Sequence, residues 1–292
     1  MVVIKYKDRE YYMSQMLKDN LDLYKKAVLK KNTSAVLIID GRSGEGKTTL
    51  SMQVAGYLND NFCIDDVCFT VEQFLNRLKQ AKKGDVIIFD EAMVISSRSA
   101  MSLLNRAVVI CMSQIRSKNI FVIFNINSIF DLDRNLSLHR ADCLLHVYSE
   151  DGRLGNRGRY CVFPSRKAVL QKLYMYGKKY YSYARPKAVF VDKFFSHFLV
   201  DEEEYEKRKQ ESINKFIVKT TAKSSQVKIQ RDKLIRYVRE NYKLNNKQLA
   251  EIMGINYTTI QRNLKILKDS EQEDVEEVED EEPIGEDDFE DN

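Results

Sequence analysis

The sequence predicts an α/β protein: a doubly wound, mainly parallel five-stranded sheet, a small β-extension, and then an all-α helix-turn-helix domain. Three observations carry the prediction. Apolar runs of strand length alternate with helical patterns, the signature of parallel β-α-β units. The run Ala35–Asp40 leads into Gly41-Arg42-Ser43-Gly44-Glu45-Gly46-Lys47-Thr48-Thr49, which fits G-x-x-x-x-G-K-[ST] and opens directly into a helical pattern. Residues 231–269 hold three short helical patterns, with Gly254-Ile255 at the turn between the second and third.

At 292 residues the chain suits one large and one small domain, and a hydrophobic fraction of 43% allows a packed core. The longest apolar runs, around Val86–Phe89 and Ile120–Phe124, fall far short of a membrane span. Lys5, Lys7 and Asp8 break any signal-peptide pattern, so a cytoplasmic protein with no membrane partner is expected. Cys63, Cys68, Cys111, Cys143 and Cys161 form no C-x-x-C pair and read as buried free thiols; His139, His146 and His197 show no metal spacing.

The net charge of +4 hides an asymmetry. Residues 271–292 hold fourteen Asp or Glu and no Lys or Arg, leaving 47 basic against 29 acidic residues, a formal +18, over residues 1–270. A basic body with an acidic tail points to a polyanionic partner, DNA first.

In chain order, Val2–Tyr6 is a short edge strand, and 13–31 a helix with Leu17, Leu21, Tyr24 and Val28 on one face. Ala35–Asp40 reads as a buried parallel strand. The glycines after it let successive N–H groups converge on phosphate oxygens, and the following helix (Leu50, Val54, Leu58 inward) adds its positive end. Gly41–Thr49 is thus the expected nucleotide-binding loop, with Lys47 on the β- and γ-phosphates and Thr48 on Mg²⁺. Phe62–Thr70 is a second strand and Val71–Ala81 a helix packed through Phe74, Leu75 and Leu78. Asp85–Phe89 is a third strand, ending in Asp90 and Glu91. Ser99–Lys118 fits a helix, Ile120–Phe124 a strand ending in Asn125, Asp131–His139 a short helix, and Ala141–Tyr148 a fifth core strand.

From about residue 33 to 150 the chain resembles the additional-strand, catalytic-glutamate division of P-loop ATPases. The nearer likeness is to FtsK–HerA-type DNA translocases and to zonular-occludens-toxin-like ATPases of mobile elements. It departs from the latter in lacking their membrane segment, and from AAA+ proteins in lacking an obvious helical lid after the fifth strand. The resemblance implies ATP and Mg²⁺ as cofactors, with Asp90 holding the metal shell and Glu91 polarising the attacking water. Asn125 then senses the γ-phosphate; its plain reading is a strand-end cap on a turn. A positive group must still meet the γ-phosphate. Arg134, Arg140 and Arg116 are candidates acting from a neighbouring subunit of a homo-oligomer, a ring such as a hexamer, and Arg42 is the candidate acting in cis.

Beyond the core, Tyr160–Phe163 and Tyr180–Tyr183 suggest strands of a small extension. There Arg153, Arg157, Arg159, Arg166, Lys167, Lys172, Lys178 and Lys179 mix with tyrosines, as on a nucleic-acid surface or on a solvated extension. In the helix-turn-helix pattern, Leu234, Ile235, Val238, Leu249, Ala250, Met253, Ile260, Leu264 and Leu267 face inward. Tyr257, Thr258, Thr259, Gln261, Arg262 and Lys265 are left to contact DNA, or a protein if the bundle is a docking unit. The tail is a solubilising appendage, a DNA mimic, or a dock for a basic protein partner. The expected organisation is 1–32 strand and helix, 33–150 ATPase core, 151–218 basic extension and helix, 219–230 linker, 231–269 helix-turn-helix and 270–292 acidic tail. The expected function is that of an ATP-hydrolysing DNA translocase or genome-packaging motor of a virus or mobile element. Its rivals are an ATP-dependent loader or transposition-type regulator, and a nucleotide-gated transcription regulator.

Overall fold

The first strands form a sheet of their own. β1 (Val2–Tyr6) and β2 (Arg9–Met13) pair antiparallel as a hairpin, so Val2–Tyr6 is not an edge of the main sheet. The computed structural model describes residues 1–90, 112, 115–149, 158–215, 245–253, 257–258 and 260–261. Two compact units divide the chain, Met1–Ser212 and Ile213–Asn292.

In the first unit, α1 (Gln15–Lys30) starts at Ser14, whose hydroxyl accepts from the Leu17 amide, and it buries Leu17, Leu21 and Val28. β3 (Ala35–Asp40) is buried along its whole length, as its unbroken apolar run requires. α2 (Lys47–Leu58) follows the glycine loop. β4 is only Val67–Cys68, because Asp66 turns the chain before it: the Asp66 carboxylate accepts from the Cys63 amide and Ile64–Asp66 forms a 3₁₀ turn. The expected strand over Phe62–Thr70 is therefore mostly turn. α3 (Val71–Gln80) opens with a capping box between Thr70 and Gln73.

β5 (Val86–Phe89), β6 (Phe121–Ile126) and β7 (Cys143–Tyr148) complete the parallel part of the sheet. β8 (Arg159–Pro164) then adds antiparallel to β7, and β9 (Phe190–Lys193) antiparallel to β8. Among the described residues the order is β4-β5-β6-β3-β7-β8-β9, seven strands rather than five, with the expected separate extension fused to the sheet edge. β6 pairs with β3 on one side and β5 on the other, so one strand separates the glycine-loop strand from the strand that leads to Asp90. The helix expected over Asp131–His139 starts later: Ile129–Asp131 is a 3₁₀ turn, and helical backbone begins at Arg134 and continues as the π-helical turn Leu136–Arg140. Tyr180–Tyr183 is a turn, not a strand. The predicted helix over Ser99–Lys118 lies outside the described residues except at 112 and 115–118, where Ile115–Lys118 is 3₁₀.

Alternation along β3 feeds two hydrophobic layers. Ala35, Leu37 and Ile39 pack with α1, α2 and the hairpin. Val36 and Ile38 pack with α3 and the helix Val169–Gly177. The sheet is thus covered on both faces, and the described residues include no helix long and apolar enough to cross a membrane. Cys68, Cys143 and Cys161 are buried free thiols, and burial pushes each up to about 12; Cys111 lies outside the described residues.

In the second unit, the helix Asn246–Met253 is capped by Asn245, whose side chain accepts from the Lys247 and Gln248 amides. Ile260 is buried, while Tyr257, Thr258 and Gln261 are exposed on helical backbone. Thr259, Arg262, Lys265 and the first predicted helix of this unit lie outside the described residues.

Arg77 of α3 bridges Asp66 at 2.6 Å and Asp85 at 2.8 Å, tying the turns before β4 and β5 together. Its side chain is 20% exposed, so Arg77→Ala should cost about 1–2 kcal/mol, discounted for screening from the fully buried case. Urea unfolding of the purified chain measures this; an unchanged midpoint would mean the bridge contributes nothing.

Candidate functional site

The carboxyl ends of β3, β5 and β6 meet where α2 begins, the usual place for a ligand in an open α/β sheet. The loop between β3 and α2 needs its glycines for space as well as for torsion. A Cβ on Gly41 (φ 146°) would sit 2.3 Å from the Val147 carbonyl oxygen, and one on Gly46 (φ 98°) 2.9 Å from the Phe194 ring. Gly46 is left-handed at the helix N-cap, which turns the amides at the start of α2 into the cleft. Glu45 folds back to accept from the Arg42 amide at 2.7 Å, closing the loop on itself.

Lys47 crosses the mouth of this loop. Its ammonium donates to the carbonyls of Gly41 and Arg42, both at 2.9 Å, and to the Asn127 side-chain oxygen at 3.2 Å. Phosphate oxygens would compete for the same protons. One residue on, the Thr48 hydroxyl donates to Asp90 at 3.2 Å. Asp90 is 2% exposed, and Asn125 donates to its other oxygen at 3.1 Å while also reaching the Ser51 hydroxyl at 2.9 Å.

The amide oxygen of Asn125 is buried with no hydrogen-bond partner among the described residues. The Thr48 hydroxyl and the Asp90 carboxylate, in contact, make a hard donor set. That set fits Mg²⁺ with its shell of waters.

A cleft of about 340 Å³ opens over these groups. Ser43, Gly44, Gly46, Lys47 and Thr48 form one wall, and Asn125 and Asn127 the floor. The far wall comes from Phe198 and from the helix of residues 202–215, through Tyr205, Glu206 and Lys209. Tyr205 is 2% exposed and donates its hydroxyl to the same Asp90 oxygen that Thr48 uses. Burial, then the Asp90 charge, holds the phenol well above its ordinary range, so it remains a donor.

Sequence reading found the loop, Asp90 and Asn125, and the fold brings them together. It missed Tyr205, Lys209, Asn127 and Phe198. One signal for the first was present: Tyr205 is the lone aromatic in the charged run Asp201–Lys209, an apolar side chain that such a helix must bury somewhere.

The arginines stand elsewhere. Arg42, Arg116, Arg134 and Arg140 are all exposed, and none lines the cleft. Arg116 lies just before β6 and Arg140 just before β7, at the strand starts, while Arg134 lies on the connection between them. Among the described residues the cations lining the cleft are Lys47 and Lys209. Glu91 lies outside the described residues.

A family model described as Novel STAND NTPase 3 (nSTAND3) matches residues 20–147, the segment that carries the loop, Asp90 and Asn125. The core is of the P-loop NTPase type. That match spans under half of the chain. Among solved structures, the chain is similar to the N-terminal domain of zonular occludens toxin from Neisseria meningitidis. The likeness has 18% identity and a TM-score of 0.37, covering 60% of this chain and 98% of that one. It is also similar to the Thermotoga maritima RuvB Holliday junction branch migration motor, at 15% identity and a TM-score of 0.35, covering 88% and 87%. No curated protein matches the sequence.

Because Tyr205 satisfies a buried carboxylate in the absence of ligand, Tyr205→Phe should destabilise the nucleotide-free chain by about 1–2 kcal/mol. The loss should shrink when ATP and Mg²⁺ are added, since the ion and its waters would take over the Asp90 oxygen. Thermal melts with and without ligand test this. An equal loss in both would mean that Tyr205 and the ligand do not share Asp90.

Proposed function

We propose that the chain binds and hydrolyses ATP with Mg²⁺ and uses the cycle to move or package DNA, working as a ring-forming oligomer. The observation that carries the nucleotide half is the convergence of Lys47, Thr48, Asp90 and Asn125 on one cleft, across the extra strand β6. Lys47 and the α2 amides would bind the phosphates, Thr48 and Asp90 would hold the metal, and Asn125 would orient a water at the γ-phosphate. Mg²⁺, when bound, would neutralise phosphate charge. Glu91, the residue after Asp90, would accept the proton of the attacking water.

DNA is the partner that suits a formal +18 over residues 1–270, with Tyr257, Thr258, Thr259, Gln261, Arg262 and Lys265 as its contacts in the helix-turn-helix. The oligomer is inferred from the arginine expected at the γ-phosphate, since among the described residues no arginine lines the cleft. With Arg42, Arg116, Arg134 and Arg140 all outside the cleft, a neighbouring subunit would present Arg134, Arg140 or Arg116. A second reading, an ATP-gated switch that turns over slowly, is favoured by Tyr205 occupying Asp90.

Lys47→Ala should abolish binding of a fluorescent ATP analogue, and unchanged affinity would remove the nucleotide site. Glu91→Gln should keep that affinity and lower turnover about 10²–10⁴-fold. Turnover near wild type would place the base elsewhere. ATPase activity rising with duplex length supports the motor; slow turnover at every length supports the switch.

A further inference from the structure

Residues 158–190 contain eight Lys and Arg and not one Asp or Glu, and the fold gathers part of that charge into a single stripe. The helix Val169–Gly177 buries Leu170, Leu173 and Tyr174 against the sheet. Its opposite face carries Lys172 and Tyr176, continues through Lys179 to Tyr180, and is exposed throughout. Tyr176 is 69% and Tyr180 73% exposed. Tyrosines this open do nothing for the core, and beside lysines they offer flat faces at the level of the charges.

The end of the stripe is rigid. The amides of Tyr180 and Ser182 both donate to the Gly177 carbonyl at 3.1 Å. A Cβ on Gly177 would lie 2.3 Å from the Ser182 oxygen, so the turn closes only on glycine. Tyr181, at φ 50°, completes the turn and donates to Asp131 at 2.7 Å. Tyr183 then drops inward, donates to Asp40, stacks on His146 with ring centroids 3.6 Å apart, and meets the Ser128 hydroxyl at 3.2 Å. Asp40 is the residue before Gly41. The stripe is therefore fixed to the strand that carries the phosphate loop.

We infer that Lys172, Tyr176, Lys179 and Tyr180 form a second DNA-contacting surface, on the ATPase unit itself, that grips the sugar–phosphate backbone and stacks on exposed bases. This rests on the proposed DNA partner and adds a site to the one expected in the helix-turn-helix. Cations with interleaved aromatics suit a strand whose bases are accessible; the lysines alone would also serve a duplex. Single-stranded and duplex oligonucleotides of equal length separate the two.

The test uses the full chain and fluorescently labelled DNA over a series of salt concentrations. K172E/K179E should weaken binding at least tenfold near 100 mM salt and make the slope of log affinity against log salt shallower by about 2, one unit per lost phosphate contact. Y176A/Y180A should weaken single-strand binding about 5- to 150-fold and duplex binding less. Both variants change exposed side chains only, and both should bind ATP as wild type does.

Wild-type DNA affinity in both variants overturns the surface. If Arg262→Ala then loses DNA, the proposed function stands with its DNA on the C-terminal unit alone. If the wild-type chain binds ATP but neither form of DNA, this surface and the DNA half of the proposed function both fail, while the ATP site survives.

Discussion

A carboxylate with 2% exposure has to be surrounded by donors, because an unpaired buried charge costs several kcal/mol. Asp90 draws its donors from three separate parts of the chain: Thr48 at the start of α2, Asn125 near the end of β6 and Tyr205 on the helix of residues 202–215. None of the three is close to Asp90 in sequence. The requirement to satisfy one side chain therefore fixes where the phosphate loop, the intervening strand and the closing helix stand. The cleft is the space left between them.

Asp40 repeats the arrangement on the other side of the loop. It is fully buried, accepts from the Ile129 amide at 2.8 Å and from Tyr183, and pairs with His146 Nδ1 at 2.8 Å. Two buried carboxylates thus bracket the glycine loop at the carboxyl edge of the sheet. Asp90 is tied to segments that line the cleft, Asp40 to the turn that carries the basic stripe. That division gives the edge a side that faces the cleft and a side that carries the basic stripe.

How much of this was legible depends on the range of each interaction. β3, the loop, α2, β5 and β6 are written in local pattern: uninterrupted apolar runs, positive-φ glycines and a helix start. The place of β6 between β3 and β5 came only with the resemblance, since periodicity does not say which strands pair. Tyr160–Phe163, the body of β8, reads as part of a separate extension for the same reason, since its antiparallel pairing to β7 is a tertiary choice; β9 carries no local strand signal that the sequence reading used. β4 is shorter than the apolar pattern of Phe62–Thr70 suggests because Asp66 caps a turn inside that run. Tyr205 was missed because its bond to Asp90 spans 115 residues, and a charged amphipathic helix does not announce what its one buried aromatic will touch.

The short segment after β6 is where the two sides meet. Asn125 holds Asp90, Asn127 accepts a hydrogen bond from Lys47 on its side-chain oxygen and one from the Gly41 amide on its carbonyl, Ser128 touches Tyr183, and the Ile129 amide donates to Asp40. A phosphate that drew Lys47 away from Asn127 would loosen one end of this segment while Asp40 and Tyr183 still held the other. Packed interiors respond to such a change by shifting between discrete arrangements rather than by yielding smoothly. Asn127 thus lies between Asn125, which holds Asp90, and Ser128, which touches Tyr183, so one run of chain links the cleft to the segment that carries the basic stripe. That run is five residues long, Asn125 to Ile129, and apart from the backbone bond between Gly41 and Asn127 each of these contacts is a hydrogen bond to a side chain that one substitution can remove.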